Sequence, residues 1–348
     1  MSGPLYVPVL PAKSHAREAY RKLIPEVQSA VVPLWNLPPR PGRRPDELIS
    51  GVRGDVLDVS KAQRHHPAWV DSPFADEAQL SVLAKVLADL AEMGPLRPVT
   101  GPERPAGHQA ATLETARCAG NGLAIRVRVP GEWDDVVSHA VRGLVARVDP
   151  AVEADLLLDL GAVRADRPDA AKEALRALDA LMPLAPWRTA AVLSGGFPGV
   201  TAELVELGTA VEPRWDWLAW RELASATREF LPRLTYGDYG IDSPHGIARG
   251  PSSGSGGPSW GVLRYTTDES FVLAKVPTQG DGRAAVIRDA ARELLALPDF
   301  RGATASAGET WLRDCAGGRG PEGTGNFAVW LRMGNIQHMT YLVRSLRA

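Results

Sequence analysis

Polar residues able to do chemistry recur at the ends of short apolar runs. Lys13 follows "YVPVLP", Asn36 ends "VVPLWN", and Asp71 ends "PAWVD". Asp159 sits late in "ADLLLDLG", Ser194 in "RTAAVLSGG", and Asp238 with Tyr239 in "LTYGDYG". Carboxylates combined with an amine can move protons or activate water. The same cations beside a Gly-rich turn can hold a phosphate. Two runs carry charge on alternate residues. Strand side chains alternate faces, so Asp155, Leu157 and Asp159 share one side of "ADLLLDLG", and Leu156, Leu158 and Leu160 the other. In "LAIRVRV", Arg126 and Arg128 share a face in the same way. A charge on a buried face must be paired, so the two strands are expected to supply each other's counterions. That pairing serves either a structural network or a charged pocket.

Further segments qualify as sites. "YGDYGIDSPH" (236–245) is the densest polar stretch at a strand end. "LSGGFPG" around Ser194 is neither a Walker loop nor a G-x-S-x-G elbow, though its glycines could expose backbone N–H groups to an anion. "EPRWDWLAWRE" (212–222) gathers Trp215, Trp217 and Trp220 with Arg214 and Arg221. Such a set can stack on bases and hold phosphates, form a protein interface, or pack beneath other elements. His65 and His66 are adjacent, and neighbouring side chains diverge, so no metal site is expected there. Cys118 reads as a small buried residue at a helix end. No G-x-G-x-x-G follows the first strand, and the cofactor is left unknown.

The elements that must position these residues follow from periodicity. Strands are expected at 5–10, 30–35, 67–72, 96–101, 122–129, 154–161, 188–196 and 233–240. Helical patterns lie between them, as at 74–93, 131–148, 169–182 and 217–231. Alternating strands and helices require parallel pairing. Eight such units predict a TIM-like (β/α)8 barrel, with an open doubly wound sheet as the alternative. After the eighth strand the rhythm changes. A Gly/Ser segment (246–259) precedes a hairpin (260–276) and a helix (281–297). The expected division is a barrel over 1–242, an inserted cap over 243–326 after the eighth strand, and a closing helix over 327–348. Residues that end barrel strands, and an insertion there, share the face where such barrels build their sites.

Composition bounds the partners. The 348 residues carry a net charge of −2, so no global basic field draws duplex nucleic acid or anionic lipid, and an anion site must be a local cluster. No apolar run is long enough to cross a membrane, and no signal peptide is evident. Two cysteines without a CxxC fit a reduced, cytoplasmic setting.

The N-terminus "YVPVLPAKSHAREAYRKLIPEVQSAVVPLWNLPP" resembles the opening of the Beta protein family of bacteria and phages. "LLLDLG", "SGGFP", "YGDYGIDSP", "LRYTTD" and "NIQHMTYLV" extend the resemblance over nearly the whole chain. It implies a barrel and an association with phages and phage defence, and it brings no established reaction. Two positions depart from the family pattern. Asn36 stands where the second strand carries Glu, and Gln337-His338 stand where the terminal helix begins with paired His. Three functional expectations follow. One is a defence-associated component binding a phosphate-bearing ligand or nucleic acid at the barrel mouth. Its binding residues are Asn36, Asp71, Arg126, Arg128, Ser194, Arg214, Trp217, Arg221, Tyr239 and His338. Another is a barrel hydrolase using Asp159, Asp238 and Lys13. The third is a noncatalytic component that binds a protein partner through the Trp-rich segment.

Overall fold

A computed structural model of the chain describes residues 3–91, 94–199, 208–247 and 259–347. The expected apolar runs become β1 (Tyr6–Pro11), β2 (Leu34–Asn36), β3 (Ala68–Asp71), β4 (Leu96–Thr100), β5 (Leu123–Arg128), β6 (Ala154–Ala162) and β7 (Ala190–Gly195). The chain then forms β8 (Gly208–Pro213), where no strand was expected, before β9 (Leu234–Asp238), β10 (Trp260–Thr266) and β11 (Ser270–Pro277). Strands β1 to β7 and β9 close in that order into an all-parallel barrel, with β9 returning to β1. The open-sheet alternative is thereby excluded.

Helices run between the strands: α1 (Ser14–Arg21), α2 (Pro25–Gln28), α3 (Pro45–Gln63), α4 (Glu77–Asp89), α5 (Ala106–Ala119), α6 (Asp135–Val145), α7 (Ala170–Leu181) and α8 (Trp215–Ala224). The short α9 (Pro244–Ile247) follows β9, and α10 (Arg283–Leu295), α11 (Ala307–Ala316) and α12 (Phe327–Arg347) complete the chain. The apolar stripe of α7 illustrates why these helices form. Ala170, Ala174, Ala177, Leu178 and Leu181 recur at helical spacing, and all are buried against the outside of β5 to β7. Asp134 caps α6 by accepting from Val136 N at 2.8 Å.

Inside the barrel, Val7, Val9, Leu34, Trp69, Val99, Ala124, Leu157, Ala191, Leu193 and Tyr239 form one cluster. Gly237 points into this space as well. A Cβ there would lie 2.4 Å from Leu193 Cδ2 and 2.6 Å from Val7 O, so only glycine fits. Leu156, Leu158 and Leu160 face the helices, as their alternation predicts.

The appended part differs from expectation in its membership. Strand β8, from the segment between β7 and α8, pairs antiparallel with β11, giving a sheet of order β10-β11-β8. This sheet packs Val262, Phe271 and Leu273 on Phe197 and Ile241, which follow β7 and β9. Residues 327–347 form one helix without a preceding strand, and α12 packs against α1, β1 and β10. Most of the Gly/Ser segment (248–258) lies outside the described residues.

Candidate functional site

The two inward carboxylates of β6 lie at opposite ends of the barrel. Asp155, at the N-terminal end, accepts from Trp69 Nε1 at 2.8 Å and Arg188 Nε at 2.8 Å, with Arg97 at 3.5 Å. Its counterions therefore come from β4 and from the residues just before β7, not from β5. Asp159, at the mouth, does take its partner from β5, because Arg126 is also inward-facing and lies beside it.

A buried polar network closes the barrel just below its mouth. Arg126 donates through Nε and Nη2 to Asp159 Oδ2 at 2.9 and 2.7 Å, and through Nη1 to Asp71 Oδ2 at 2.7 Å. It also donates to Asn36 Oδ1 at 3.2 Å and to the Tyr239 hydroxyl at 2.8 Å. These bonds engage all five N–H donors of the guanidinium. Arg104, from the loop after β4, donates to both oxygens of Asp71 at 2.9 and 3.1 Å. Tyr239 donates to Asp159 at 2.8 Å. A bulge between Asp159 and Gly161 brings Gly161 N within 2.9 Å of Asp159 Oδ1, and the φ of +67° at Gly161 is one that glycine adopts freely.

The charges balance: two carboxylates face two guanidiniums. Asn36 supplies a carbonyl to Arg126 without adding a third negative charge, which a Glu at that position would bring. Burial pushes the Asp71 carboxyl up, but Arg104 and Arg126 outweigh it and hold it below the ordinary range. Burial acts against the charge of Arg126, yet Asp159, Tyr239 and Asp71 raise it well above its usual value. Two donors of the network, Asn36 Nδ2 and Arg104 Nε, are buried and have no hydrogen-bond partner. Above this floor, Arg128 on β5 and Lys13 after β1 are exposed. The Arg128 guanidinium lies 6.0 Å from the ring of Phe74, itself 39% exposed.

Several expected site residues lie elsewhere. Tyr6 pairs in register with Tyr236, and Pro8 with Asp238, on the helix-facing side of the barrel, whereas the pair Val7 and Gly237 faces inward. Asp238 is therefore outside the barrel wall, although Tyr239 next to it is inside. It accepts from Tyr6, from Tyr236 at 3.1 Å and from Gly240 N at 2.9 Å, and it pairs with His338 Nε2 of α12 at 3.0 Å. His338 Nδ1 meets Thr266 Oγ1 of β10 at 2.8 Å. Tyr236 also donates to Asp216 of α8 at 3.0 Å. Every group in this second cluster is buried. Burial pushes Asp238 up, but His338, Tyr6 and Arg214 bring it below the ordinary carboxylate value. Burial and the nearby Asp238 raise Asp216, against the pull of Arg214.

The geometry does not bring Asp159, Asp238 and Lys13 together as a catalytic set. Ser194 pairs in register with Asp238 and shares its outward side. The glycines after it serve packing: a Cβ on Gly196 would lie 2.1 Å from Asp216 Oδ1, and one on Gly195 would lie 2.4 Å from Pro244 Cγ. Arg214 is fully buried, stacked 5.1 Å from Trp217 and 5.7 Å from Phe271, and donates to the carbonyls of Thr267 and Asp268. Trp217 packs edge-on against Tyr236 with ring centroids 5.1 Å apart. Of the chosen residues in this segment only Arg221 is exposed, paired with Glu269 at 3.4 Å. Cys118 is exposed rather than buried and hydrogen-bonds Glu114 at 3.3 Å, which raises its thiol pKa. Among the described residues no group of His, Cys, Asp and Glu has metal-binding geometry, and no helix is long and apolar enough to cross a membrane. Arg104 was missed, because a loop arginine in "GPERPAG" carries no periodic signal.

A family model described as Beta protein matches residues 6–344, nearly the whole chain. No curated protein matches it.

Proposed function

The chain belongs to the Beta protein family, and from that premise we propose that its barrel mouth binds a small phosphate-bearing ligand. The observation that carries this reading is Asn36 Nδ2. A buried donor without a partner is costly, and this one sits in a network whose neighbouring Arg126 donors are all engaged. A ligand oxygen would satisfy it. Arg128 and Lys13 on opposite sides of the mouth supply positive charge, and Phe74 beside Arg128 supplies an exposed ring for stacking. The Asp71–Arg126–Asp159–Tyr239 network is a rigid floor beneath the ligand. Both Asp159 oxygens already accept hydrogen bonds, which argues against that residue as a general base. Residues 243–326 would act as a cap on the same face. A role in phage defence, with a protein partner in the same complex, rests on the family alone.

The test is calorimetric titration of the full-length protein with adenosine monophosphate at low and at physiological salt. Binding is expected to weaken with salt, because phosphate contacts release counterions. Arg128→Ala, an exposed change that leaves the fold intact, is expected to weaken binding about fivefold. Absence of binding, or equal affinity in the variant, would overturn the reading.

A further inference from the structure

Arg264 is a buried charge that the appended sheet carries towards the barrel mouth. It lies mid-strand in β10, a strand buried along nearly its whole length, and is 8% exposed. Its Nη1 donates to Val262 O at 3.1 Å, Nε has no partner, and the guanidinium lies 5.5 Å from the Phe197 ring. It forms no ion pair with any described residue, whereas Arg126 and Arg104 at the mouth each pair with two carboxylates, Asp71 and Asp159 for the first and Asp71 and Glu103 for the second. Burial lowers the pKa of Arg264, and Asp242 opposes that only in part. A buried guanidinium without a counterion is costly unless something else supplies one.

One side of its strand faces α11 and α12; the guanidinium lies towards segments that follow barrel strands. Phe197 follows β7 and Asp242 follows β9. His15, in the first turn of α1, has a buried Nε2 without a partner. Burial lowers the His15 pKa most. Asp242 opposes it, Lys13 and Arg264 press further down, and Glu18 opposes. Arg264 and His15 thus each leave a buried nitrogen unused, and Lys13 and Arg264 both act electrostatically on His15.

We propose that Arg264, with His15 and Lys13, forms an oxyanion pocket at the edge of the mouth that receives the phosphate group of the ligand. The appended sheet then contributes a binding residue to the barrel, and the site is incomplete without it. This rests on the mouth being a ligand site and names the group that is recognised there. The shared chemistry is a phosphate dianion, whether free or carried by a nucleotide.

The experiment titrates full-length wild type, Arg264→Met and Arg264→Lys with inorganic phosphate and with adenosine monophosphate. Wild type is expected to bind, Arg264→Met to lose at least about tenfold in affinity, and Arg264→Lys to fall between them. Removing an uncompensated buried charge for an apolar chain of similar length leaves the melting temperature unchanged or raises it. Lys13→Ala, an exposed change, gives a smaller loss and checks the site should Arg264→Met fail to fold. Phosphate binding alone marks the free ion as sufficient; adenosine monophosphate binding alone marks the nucleotide as the source. Either supports the pocket when Arg264→Met abolishes it. Wild-type affinity in Arg264→Met, or a lowered melting temperature with binding retained, assigns Arg264 to packing and overturns the proposal. Binding that responds to Arg128→Ala but not to Arg264→Met or Lys13→Ala overturns this pocket and spares the mouth. Failure of wild type to bind either probe overturns both.

Discussion

Two buried polar clusters lie on either side of one strand, and adjacent residues feed them. Tyr239 turns into the barrel and joins Asn36, Asp71, Arg104, Arg126 and Asp159. Asp238 turns outward and joins Tyr6, Tyr236 and His338. The inner cluster is drawn from barrel strands and the loops that follow them. Its charges balance, and it leaves two donors, Asn36 Nδ2 and Arg104 Nε, without hydrogen-bond partners beside an exposed rim. The outer cluster is a seam. It ties β1 and β9 to α8 and α12, and through Thr266 to the appended sheet. Similar residue types therefore do different work. Inside, they shape a floor beneath a site; outside, they hold the added elements against the wall.

That comparison can be broken most severely at Arg126. Arg126→Ala leaves Asp71 without one partner and Asp159 without its guanidinium, both buried. The expected loss is about 3–5 kcal/mol of global stability in urea unfolding, a large share of a domain's total. A loss below about 1 kcal/mol would show that the inner network is not the floor described.

The next effect is on pH. His108 of α5 lies between Thr100 and Thr112, 3.3 Å from each hydroxyl, next to the inner cluster. Burial, reinforced by Arg104 and opposed by Asp71, lowers its pKa from 6.5 to about 4. Between those values the unfolded chain binds a proton that the folded protein does not. Stability therefore falls as pH drops from about 6.5 towards 4, by about 3 kcal/mol from this residue. In unfolding experiments at both ends of that window, His108→Gln is expected to lose correspondingly less than wild type. Equal losses in the two proteins would remove His108 from the account.

The smallest effect sharpens the contrast at the seam. Asp238→Asn keeps an acceptor for Tyr6 and Tyr236 but removes the charge facing His338. A cost of about 1–3 kcal/mol is expected. It should appear as faster proteolysis of residues 327–347 before the barrel unfolds. Cleavage that tracks global unfolding would mean the seam and the barrel are one cooperative unit.

Much of the inner cluster was legible in the sequence. "ADLLLDLG" and "LAIRVRV" announce inward charges because a barrel strand must keep its helix-facing side apolar. Asn36 and Asp71 were legible as strand ends. The face taken by Asp238 was not, since "YGDYG" offers polar groups at every second and third place. The inward side of β9 is decided by its register with β1 and by the space that only Gly237 can leave open. Strand β8 was missed because its pairing is with β11, far along the chain, and "GTAVEP" is mostly exposed. Arg214 and Trp217 looked like a binding surface because local sequence does not report that the appended sheet and β9 cover them. Arg264 did leave a signal, an arginine mid-strand in an apolar hairpin. Its significance depends on both faces of β10 being covered.

The most direct measurement is hydrogen–deuterium exchange of the full-length protein with and without saturating adenosine monophosphate. Protection is expected at the strand ends around Asn36, Asp71 and Arg128 and at the 12–15 and 262–266 segments, with the interior of α12 around His338 unchanged. Protection confined to α8 and α12, or no protection at the strand ends, would contradict a ligand site at the mouth.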